Sequence, residues 1–338
     1  MFIECLNLSL SNRCNASCLW CPETRGTKYN FDMPFDTVKK IIDEVSDPNF
    51  PSEIKMIHLS ENGEALYNKD FLEITRYIKQ KLPNVSVNLL SNFGLMTAEI
   101  ARTLLTEKLI SSCQLNIDGH DDESYRAVKG ISYKSVIKNL KSFLDIRDEV
   151  NPVFDITINA MPAFEYFTTV RAFFNTNPDN TGDTVPYSDF DLVLESLKDI
   201  VPQNVSIKHS KSGFWAERKL ITSGRANINV KLDTLDCPMI YRVEHEAFIS
   251  PNGDWYPCCL DDNQDIILGN IVTNSLIEVA NSETRATFVE KLKARKFEEI
   301  GYPCNTVICC QTVSIKEVEY KSMTKQFKKG DVIRIKQV

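Results

Sequence analysis

Short runs of apolar and β-branched residues recur along the first two thirds of the chain, where they predict strands. They lie at residues 3–10, 55–60, 86–91, 112–118, 153–161 and 204–209. Longer segments with helical spacing of apolar positions separate them, at residues 35–45, 71–82, 98–108, 133–150 and 190–200. Because strand and helix alternate, the pattern predicts a parallel sheet with helical crossovers.

Polar residues near the predicted helix starts support these boundaries. Thr97 precedes the third helix, and Asp36 and Asp189 lie near the starts of two others. Hydroxyl and carboxylate oxygens in this position accept hydrogen bonds from the first free amides of a helix. We therefore expect these three residues to act as caps.

The periodicity changes after about residue 210, and a second, smaller domain is expected there. Within it, residues 247–250 and 254–257 flank Pro251-Asn252-Gly253, and Asn-Gly between short strands predicts a hairpin. One helix is expected at residues 275–295. We predict three parts in chain order. A domain of alternating strands and helices spans residues 1–210, a linker spans 211–235, and a small α+β domain with a basic tail spans 236–338.

The composition places the chain among globular proteins. It has 338 residues, of which 43% are hydrophobic and 25% charged. No apolar run approaches the ~20 residues that cross a bilayer, and the N-terminal segment does not resemble a secretory signal. We therefore expect a cytoplasmic protein without membrane contact, and the net charge of -7 argues against nucleic-acid binding.

The chain contains eleven cysteines. Because cytosolic thiols stay reduced and a core of this size needs no disulfides, metal or redox chemistry is the leading explanation. Cys5 and Cys113 lie within strand-like runs and are expected to be buried apolar residues.

Three cysteines, Cys14, Cys18 and Cys21, follow the first predicted strand with three and then two residues between them. Thiolates select iron-sulfur clusters or zinc. A structural zinc site needs a fourth ligand, and none follows nearby in the sequence. Three thiolates on a 4Fe-4S cluster leave one iron open to a cofactor or substrate. The alternative is a zinc site completed by a remote cysteine.

Polar motifs also follow the next three predicted strands, at residues 60–65, 91–94 and 116–119. The carboxyl ends of parallel strands are where α/β folds hold their active sites. We therefore expect these motifs and the cysteine loop to form one site.

Together these motifs resemble the radical S-adenosylmethionine (radical SAM) superfamily. Cys14, Cys18 and Cys21 match its CxxxCxxC loop, with Trp20 as the aromatic residue before the last cysteine. Its Gly-Gly-Glu motif is similar to Asn62-Gly63-Glu64, where asparagine replaces one glycine. The motifs after strands three and four are similar to Ser91-Asn92-Phe93 and Asn116-Ile117-Asp118-Gly119, which depart from the family pattern at the glycine and the serine.

The resemblance implies a partial (β/α)6 TIM-type barrel. It implies that S-adenosylmethionine binds the open iron of a 4Fe-4S cluster, and that its cleavage yields a 5′-deoxyadenosyl radical that abstracts hydrogen from a substrate. Glu64 is the candidate ligand for the amino group of the cofactor, with helix capping as the alternative. The further cofactor-binding candidates are Trp20, Gly63, Asn92, Asn116 and Asp118.

Six of the other cysteines lie in the last third of the chain. The spacing from Gly253 to Cys258 resembles the SPASM and twitch auxiliary-cluster domains of this superfamily, and the shorter twitch form, with one 4Fe-4S cluster, fits better. We assign as its ligands Cys237, Cys258, Cys304 and one of Cys309 or Cys310. A four-cysteine zinc site is the alternative.

Hydrogen abstraction leading to dehydrogenation or to modification of a peptide or small molecule is the expected function, with flavodoxin or ferredoxin as electron donor. The alternatives are an epimerase that uses a cysteine as hydrogen donor, for which Cys310 is the candidate, and a zinc-binding structural protein without catalysis. His58 and His209 lie on predicted strands and are expected to be either core residues or substrate-facing ones.

Overall fold

The computed structural model describes residues 2–18, 21, 31–59, 62–160, 162, 183–209, 237–261, 264–305 and 332–335. Its strands are β1 (Cys5–Leu8), β2 (Met56–Leu59), β3 (Ser86–Ser91), β4 (Ser112–Asn116), β5 (Asp155–Ala160), β6 (Asp183–Pro186), β7 (Ser206–His209), β8 (Glu246–Ile249), β9 (Asp254–Tyr256), β10 (Gly269–Asn270) and β11 (Val332–Ile335). Its α-helices are α1 (Phe35–Val45), α2 (Phe71–Lys81), α3 (Ala98–Thr106), α4 (Asp122–Lys129), α5 (Tyr133–Val150), α6 (Phe190–Leu197), α7 (Ile240–His245), α8 (Leu276–Ala280), α9 (Glu283–Lys293) and α10 (Phe297–Ile300).

Nine strands form one sheet in the order β10-β9-β8-β1-β2-β3-β4-β5-β7. The six strands predicted from the sequence are β1 to β5 and β7, and adjacent members pair in parallel. The parallel pairing is what the alternation of elements predicted, and the architecture is the partial TIM-type barrel that the family resemblance implied.

The two faces of the six parallel strands differ in polarity. Along β3, Val87, Leu89 and Ser91 are buried, whereas Asn88 and Leu90 on the other face are partly accessible. The buried face packs against the helices, as an amphipathic helix layer requires. The accessible face lines the inside of the barrel.

The helix boundaries follow the predicted caps in two cases of three. Thr97 accepts a hydrogen bond from the Ile100 amide, and Asp189 accepts one from the Leu192 amide. Asp36 instead lies in the first turn of α1, because the chain enters that helix through Pro34, whose extended backbone marks the boundary.

Helix α4 was not predicted from the sequence. It is only eight residues long and strongly polar, and its boundaries depend on local hydrogen bonds. Asp121 and Ser124 form a capping box at its start, and Gly130 ends it in a left-handed conformation.

The predicted hairpin is confirmed as β8 and β9, which pair in antiparallel orientation. The structure adds that β8 pairs in parallel with β1, so this hairpin extends the barrel sheet. The single helix expected at residues 275–295 is two helices, α8 and α9, because Ser282 caps a new helix after Asn281. The predicted domain limits remain predictions.

Helix α1 of the barrel holds the segment that leads into α8. The Lys40 ammonium donates to the carbonyl oxygens of Ile271, Val272 and Asn274 at 2.6, 3.0 and 2.9 Å. One turn later, the Glu44 carboxylate accepts the amides of Leu276 and Ile277 at 2.8 and 2.9 Å. These bonds connect the N-terminal and C-terminal regions of the described chain.

Strands β6 and β11 form a separate two-stranded antiparallel sheet that the sequence did not predict. Within the described ranges, no helix has the length and apolar character needed to cross a membrane.

Candidate active site

The loop that carries the first three cysteines is fixed at both ends. Ser11 and Asp32 pair as an antiparallel bridge, and the Ser11 hydroxyl donates to the Asp32 carboxylate at 2.7 Å. The Arg13 guanidinium forms an ion pair with the same carboxylate. The Asn68 side chain donates to the carbonyl oxygens of Leu10 and Met33, on either side of the bridge. Contacts of Ser11 and Arg13 with Asp32 therefore hold the two ends of the loop together at the carboxyl end of β1.

Cys14, Cys18 and Cys21 lie on this loop, are partly accessible and form no disulfide. The Cys21 amide donates to the Cys18 carbonyl at 3.0 Å, which holds the backbone of these two cysteines together. The Cys14 sulfur accepts hydrogen bonds from the Ala16 amide at 3.4 Å and the Asn92 side chain at 3.5 Å. The predicted cofactor residue Trp20 lies outside the described residues.

Gly63, at the end of β2, packs directly against the cysteine loop. A Cβ atom on this residue would lie 2.1 Å from the Ser11 carbonyl oxygen and 2.8 Å from Asn12 Cα, and the backbone φ of +77° also favours glycine. The next amide, of Glu64, donates to the Arg13 carbonyl at 2.9 Å. The predicted Gly-Glu motif therefore holds the loop through its backbone.

The Glu64 carboxylate is buried, with 2% of the residue exposed. One oxygen accepts the Leu66 amide at 3.3 Å and caps a short 3-10 helix, and the other accepts the Asn92 amide at 2.8 Å. Burial raises the pKa of Glu64, and these hydrogen bonds oppose the rise. The carboxylate thus joins the ends of β2 and β3, and its bond to the Leu66 amide is of the helix-capping kind predicted as the alternative from the sequence. Contact of Glu64 with the cofactor remains a prediction.

Asn92 connects β3 to the cysteine loop. Its side-chain amide donates to the Asn15 side chain at 2.9 Å as well as to Cys14. Its side-chain oxygen accepts the Gly94 amide at 2.8 Å, which forms a turn after β3. The structure therefore brings Asn92 to the cysteines, as the motif order predicted.

Asn116 is the last residue of β4, and Asp118 lies two residues beyond it. The Asp118 carboxylate forms a buried ion pair with Lys129 at 2.8 Å. Asn116 is aligned with Asn159 of β5 on the inner face of the barrel. Lys129 was missed in the sequence analysis, because α4 was not predicted.

Asn62 has a buried side-chain nitrogen with no hydrogen-bond partner among the residues that the structure describes. A buried donor left without an acceptor costs about 1–3 kcal/mol. A ligand that accepts a hydrogen bond from this amide would remove the cost. The unpaired donor therefore fits a cofactor that binds beside Gly63.

The residue types and the spacing of this loop fit a 4Fe-4S cluster with an open iron. Three thiols share one short loop, and amide donors at Cys14 are of the kind that stabilise cluster sulfurs. Across the part of the chain that the structure describes, no three His, Cys, Asp or Glu side chains are grouped as they would be around a single metal ion.

The inner face of the barrel is polar from one strand to the next. A first row, defined by strand register, runs through Asn7, His58, Asn88, Ser112 and Asp155. Higher rows contain Gln114 beside Thr157 and Asn159 beside Lys208. Ordinary TIM barrels fill this space with branched apolar side chains. Here a cavity of about 470 Å³ remains, lined in part by His58, Asn88, Gln114, Thr157 and Arg242.

The two strand histidines face opposite sides of the sheet. His58 lines the cavity, and burial together with the charge of Arg242 lowers its pKa. His209 stacks on Phe190 of α6, with ring centroids 4.4 Å apart, and so belongs to the helix-facing core. The polar rows were missed in the sequence, although the alternation of polar and apolar residues along each strand was the signal for them.

The described cysteines of the second group lie in separate loops, before α7, after β9 and after α10. Cys258 and Cys304 are buried in the hydrophobic core, and Cys237 packs against it. Cys259 accepts a hydrogen bond from Arg242 at 3.4 Å. Cys309 and Cys310, between which the sequence left the fourth ligand open, lie outside the described residues, so their roles remain predictions.

Sequence comparison defines the class of protein. The radical SAM superfamily model matches residues 8–158, and the model of an iron-sulfur cluster-binding domain, SPASM, matches residues 237–310. The chain therefore carries a radical SAM domain and a C-terminal SPASM domain. These domains imply a 4Fe-4S cluster, S-adenosylmethionine and auxiliary iron-sulfur binding, as predicted; the one-cluster twitch form remains a prediction.

Individual proteins are similar over different extents. The chain is 29% identical over 99 residues to a tungsten-containing aldehyde ferredoxin oxidoreductase cofactor-modifying protein of Pyrococcus furiosus, a match that covers 29% of this chain and 26% of that protein.

Two solved structures share the fold. The structure of BtrN with AdoMet and 2-DOIA has a TM-score of 0.51 over 92% of each chain at 14% identity. Streptococcus suis SuiB bound to S-adenosylmethionine has a TM-score of 0.57 over 92% of this chain and 78% of SuiB at 15% identity.

Proposed function

We propose that this chain cleaves S-adenosylmethionine reductively and abstracts hydrogen from a polar substrate held inside the barrel, with the SPASM domain holding an auxiliary 4Fe-4S cluster. The observation that carries the proposal is the cysteine loop fixed at the carboxyl edge of a sheet whose inner face is polar. When bound, the reduced cluster supplies the electron that splits the cofactor into methionine and a 5′-deoxyadenosyl radical.

The chain's own residues would bind and orient the reactants. Cys14, Cys18 and Cys21 would hold the cluster, and Asn92 would donate to the Cys14 sulfur. The Asn62 amide would donate to S-adenosylmethionine, since it is a buried donor beside the loop with no protein acceptor among the described residues. Glu64 would fix Asn92 and the first turn after β2.

The substrate is expected to carry several hydrogen-bonding groups. Asn88, Gln114 and Thr157 offer both donors and acceptors to the cavity. An apolar substrate would leave these groups without partners, at a cost for each one. A polyhydroxylated or amino-substituted small molecule and the backbone of a peptide both meet the requirement.

Two related folds have been solved with such molecules, BtrN with 2-DOIA and SuiB with the precursor peptide SuiA. Both substrate classes are therefore worth testing. Dehydrogenation or another modification of the substrate, with a flavodoxin or ferredoxin as electron donor, is the reaction we propose.

Anaerobic purification followed by incubation with dithionite and S-adenosylmethionine tests the proposal. We expect a brown protein that contains iron and sulfide and forms 5′-deoxyadenosine. A colourless protein loaded with zinc that forms no 5′-deoxyadenosine would contradict it and would support the structural zinc alternative.

A further inference from the structure

A buried lysine lies beneath the cysteine loop. The Lys129 ammonium is 2.8 Å from the Asp118 carboxylate, and their side chains are only 5% and 3% exposed. Removing two charges from water costs several kcal/mol per ion unless they are well paired.

The backbone connects Lys129 to the residue that precedes Cys18. The Ser17 amide donates to the Lys129 carbonyl oxygen at 2.9 Å. Next to it, Gly130 approaches so closely that a Cβ atom there would lie 2.0 Å from the Ser17 hydroxyl oxygen. Lys129 is the last residue of α4, so the end of this helix is fixed against the cysteine loop.

The ammonium of Lys129 remains charged in this environment. Burial lowers the pKa of Lys129, but the negative charge of the adjacent Asp118 carboxylate opposes this effect, and the pKa lies well above its ordinary value. A cation at this depth is screened little by solvent or salt.

We propose that Lys129 is a positioning residue for the cluster, whose ammonium, oriented by Asp118, compensates the negative charge at Cys14, Cys18 and Cys21 and raises the reduction potential. This inference rests on the proposed assignment of these cysteines as cluster ligands. Reduction adds one electron from an external reductant and no proton, so it makes the cluster more negative. A nearby buried cation stabilises the reduced form more than the oxidised form.

The test is a redox titration of the holoenzyme with dithionite, followed by electron paramagnetic resonance. The relevant signal is the one that changes when S-adenosylmethionine is added, which separates it from any auxiliary cluster. For Lys129→Met, we expect the ratio of reduced to oxidised cluster at the wild-type midpoint to fall about tenfold, equivalent to about 59 mV for a one-electron couple. Lys129→Arg keeps the charge and should titrate like the wild type.

Asp118→Asn provides a second arm with the opposite sign. It removes the carboxylate that neutralises Lys129, so the midpoint should move to a higher potential. Lys138→Met removes an exposed lysine on α5 and is the matched control, with no expected shift.

Several results would overturn the inference. A wild-type midpoint in Lys129→Met, or a shift in Lys129→Arg as large as in Lys129→Met, would assign the pair to packing alone. If Lys129→Met fails to bind iron, Asp118→Asn decides the matter, and an unchanged or lowered midpoint refutes the inference. A wild-type enzyme with no signal that responds to S-adenosylmethionine would refute the proposed function as well.

Discussion

The two cysteine groups of this chain are built in different ways. Cys14, Cys18 and Cys21 lie within eight consecutive residues on one loop and are partly accessible. Cys237, Cys258 and Cys304 are far apart in the sequence, lie in separate loops and are buried or half-buried against the core. The first group is local in the sequence and lies on one loop of the barrel. The positions of the second group depend on tertiary contacts, which include the pairing of β8 with β1.

This difference has consequences for stability and for function. A partly accessible loop contributes little apolar burial, so its cysteines can be changed without much effect on folding. Buried cysteines act as small apolar side chains, and their replacement disturbs the core. Changes in the first group should therefore affect chemistry, and changes in the second should affect folding as well.

The largest effect is expected when each group is removed as a unit. Replacing Cys14, Cys18 and Cys21 by alanine should abolish 5′-deoxyadenosine formation and remove one cluster, while the second cluster and the melting temperature stay close to wild type. Replacing Cys237, Cys258 and Cys304 by alanine should remove the other cluster and lower the melting temperature. Iron content, product formation and thermal unfolding are the measurements. Unchanged iron after the first triple substitution would refute its assignment.

Gly63→Ala is expected to have the next largest effect, because its Cβ would collide with the backbone of Ser11 and Asn12. Strain and collision together cost about 2–4 kcal/mol. We expect the chain to lose most of the S-adenosylmethionine-responsive cluster. Gly301→Ala is the control, since Gly301 also has a positive φ but has no atom within 4 Å of an added Cβ. Equal cluster loss in both variants would contradict this account.

Glu64→Ala should lower the affinity for S-adenosylmethionine about tenfold, because Asn92 and the turn after β2 lose a buried hydrogen-bond acceptor. Titration of the reduced cluster with the cofactor measures the change. 5′-Methylthioadenosine lacks the amino-acid part of S-adenosylmethionine, including its amino group. Comparing the two molecules therefore separates direct contact of Glu64 with that amino group from its effect on the position of Asn92. Weaker binding of both molecules indicates positioning, while weaker binding of S-adenosylmethionine alone indicates direct contact with the amino group.

Asn62→Ala should have effects of opposite sign on folding and on binding. Removing a buried donor that lacks an acceptor among the described residues should raise the free energy of unfolding of the apoprotein by about 1 kcal/mol. The affinity for S-adenosylmethionine should fall severalfold. Urea denaturation and cofactor titration report the two quantities. If both decrease, the amide serves folding and does not bind the cofactor.

Lys40→Met is expected to have the smallest effect, a loss of about 1 kcal/mol in the free energy of unfolding. The variant loses three hydrogen bonds from α1 to the chain before α8, but the lysine is exposed, so water can replace part of what is lost. Urea denaturation measures the loss, and Lys69→Met, at an exposed lysine, is the control. A change no larger than that of the control would show that the two regions are held together by the sheet alone.

The sequence alone determined the features that are local in the chain. Strand and helix periodicity predicted the six parallel strands and the bounds of α1 and α5, because side-chain spacing follows backbone geometry. The CxxxCxxC loop and the motifs after β2, β3 and β4 indicated the chemistry, because residues at the carboxyl ends of parallel strands meet at one edge.

The tertiary structure decided what depends on contacts between distant residues. It paired β8 with β1, ended α8 before α9, and buried Lys129 against Asp118 under the cysteine loop. It also turned polar positions on separate strands into rows inside the barrel, and it left Asn62 buried without an acceptor among the described residues. These features depend on register and burial, and neither is encoded in the spacing of residues along a single segment.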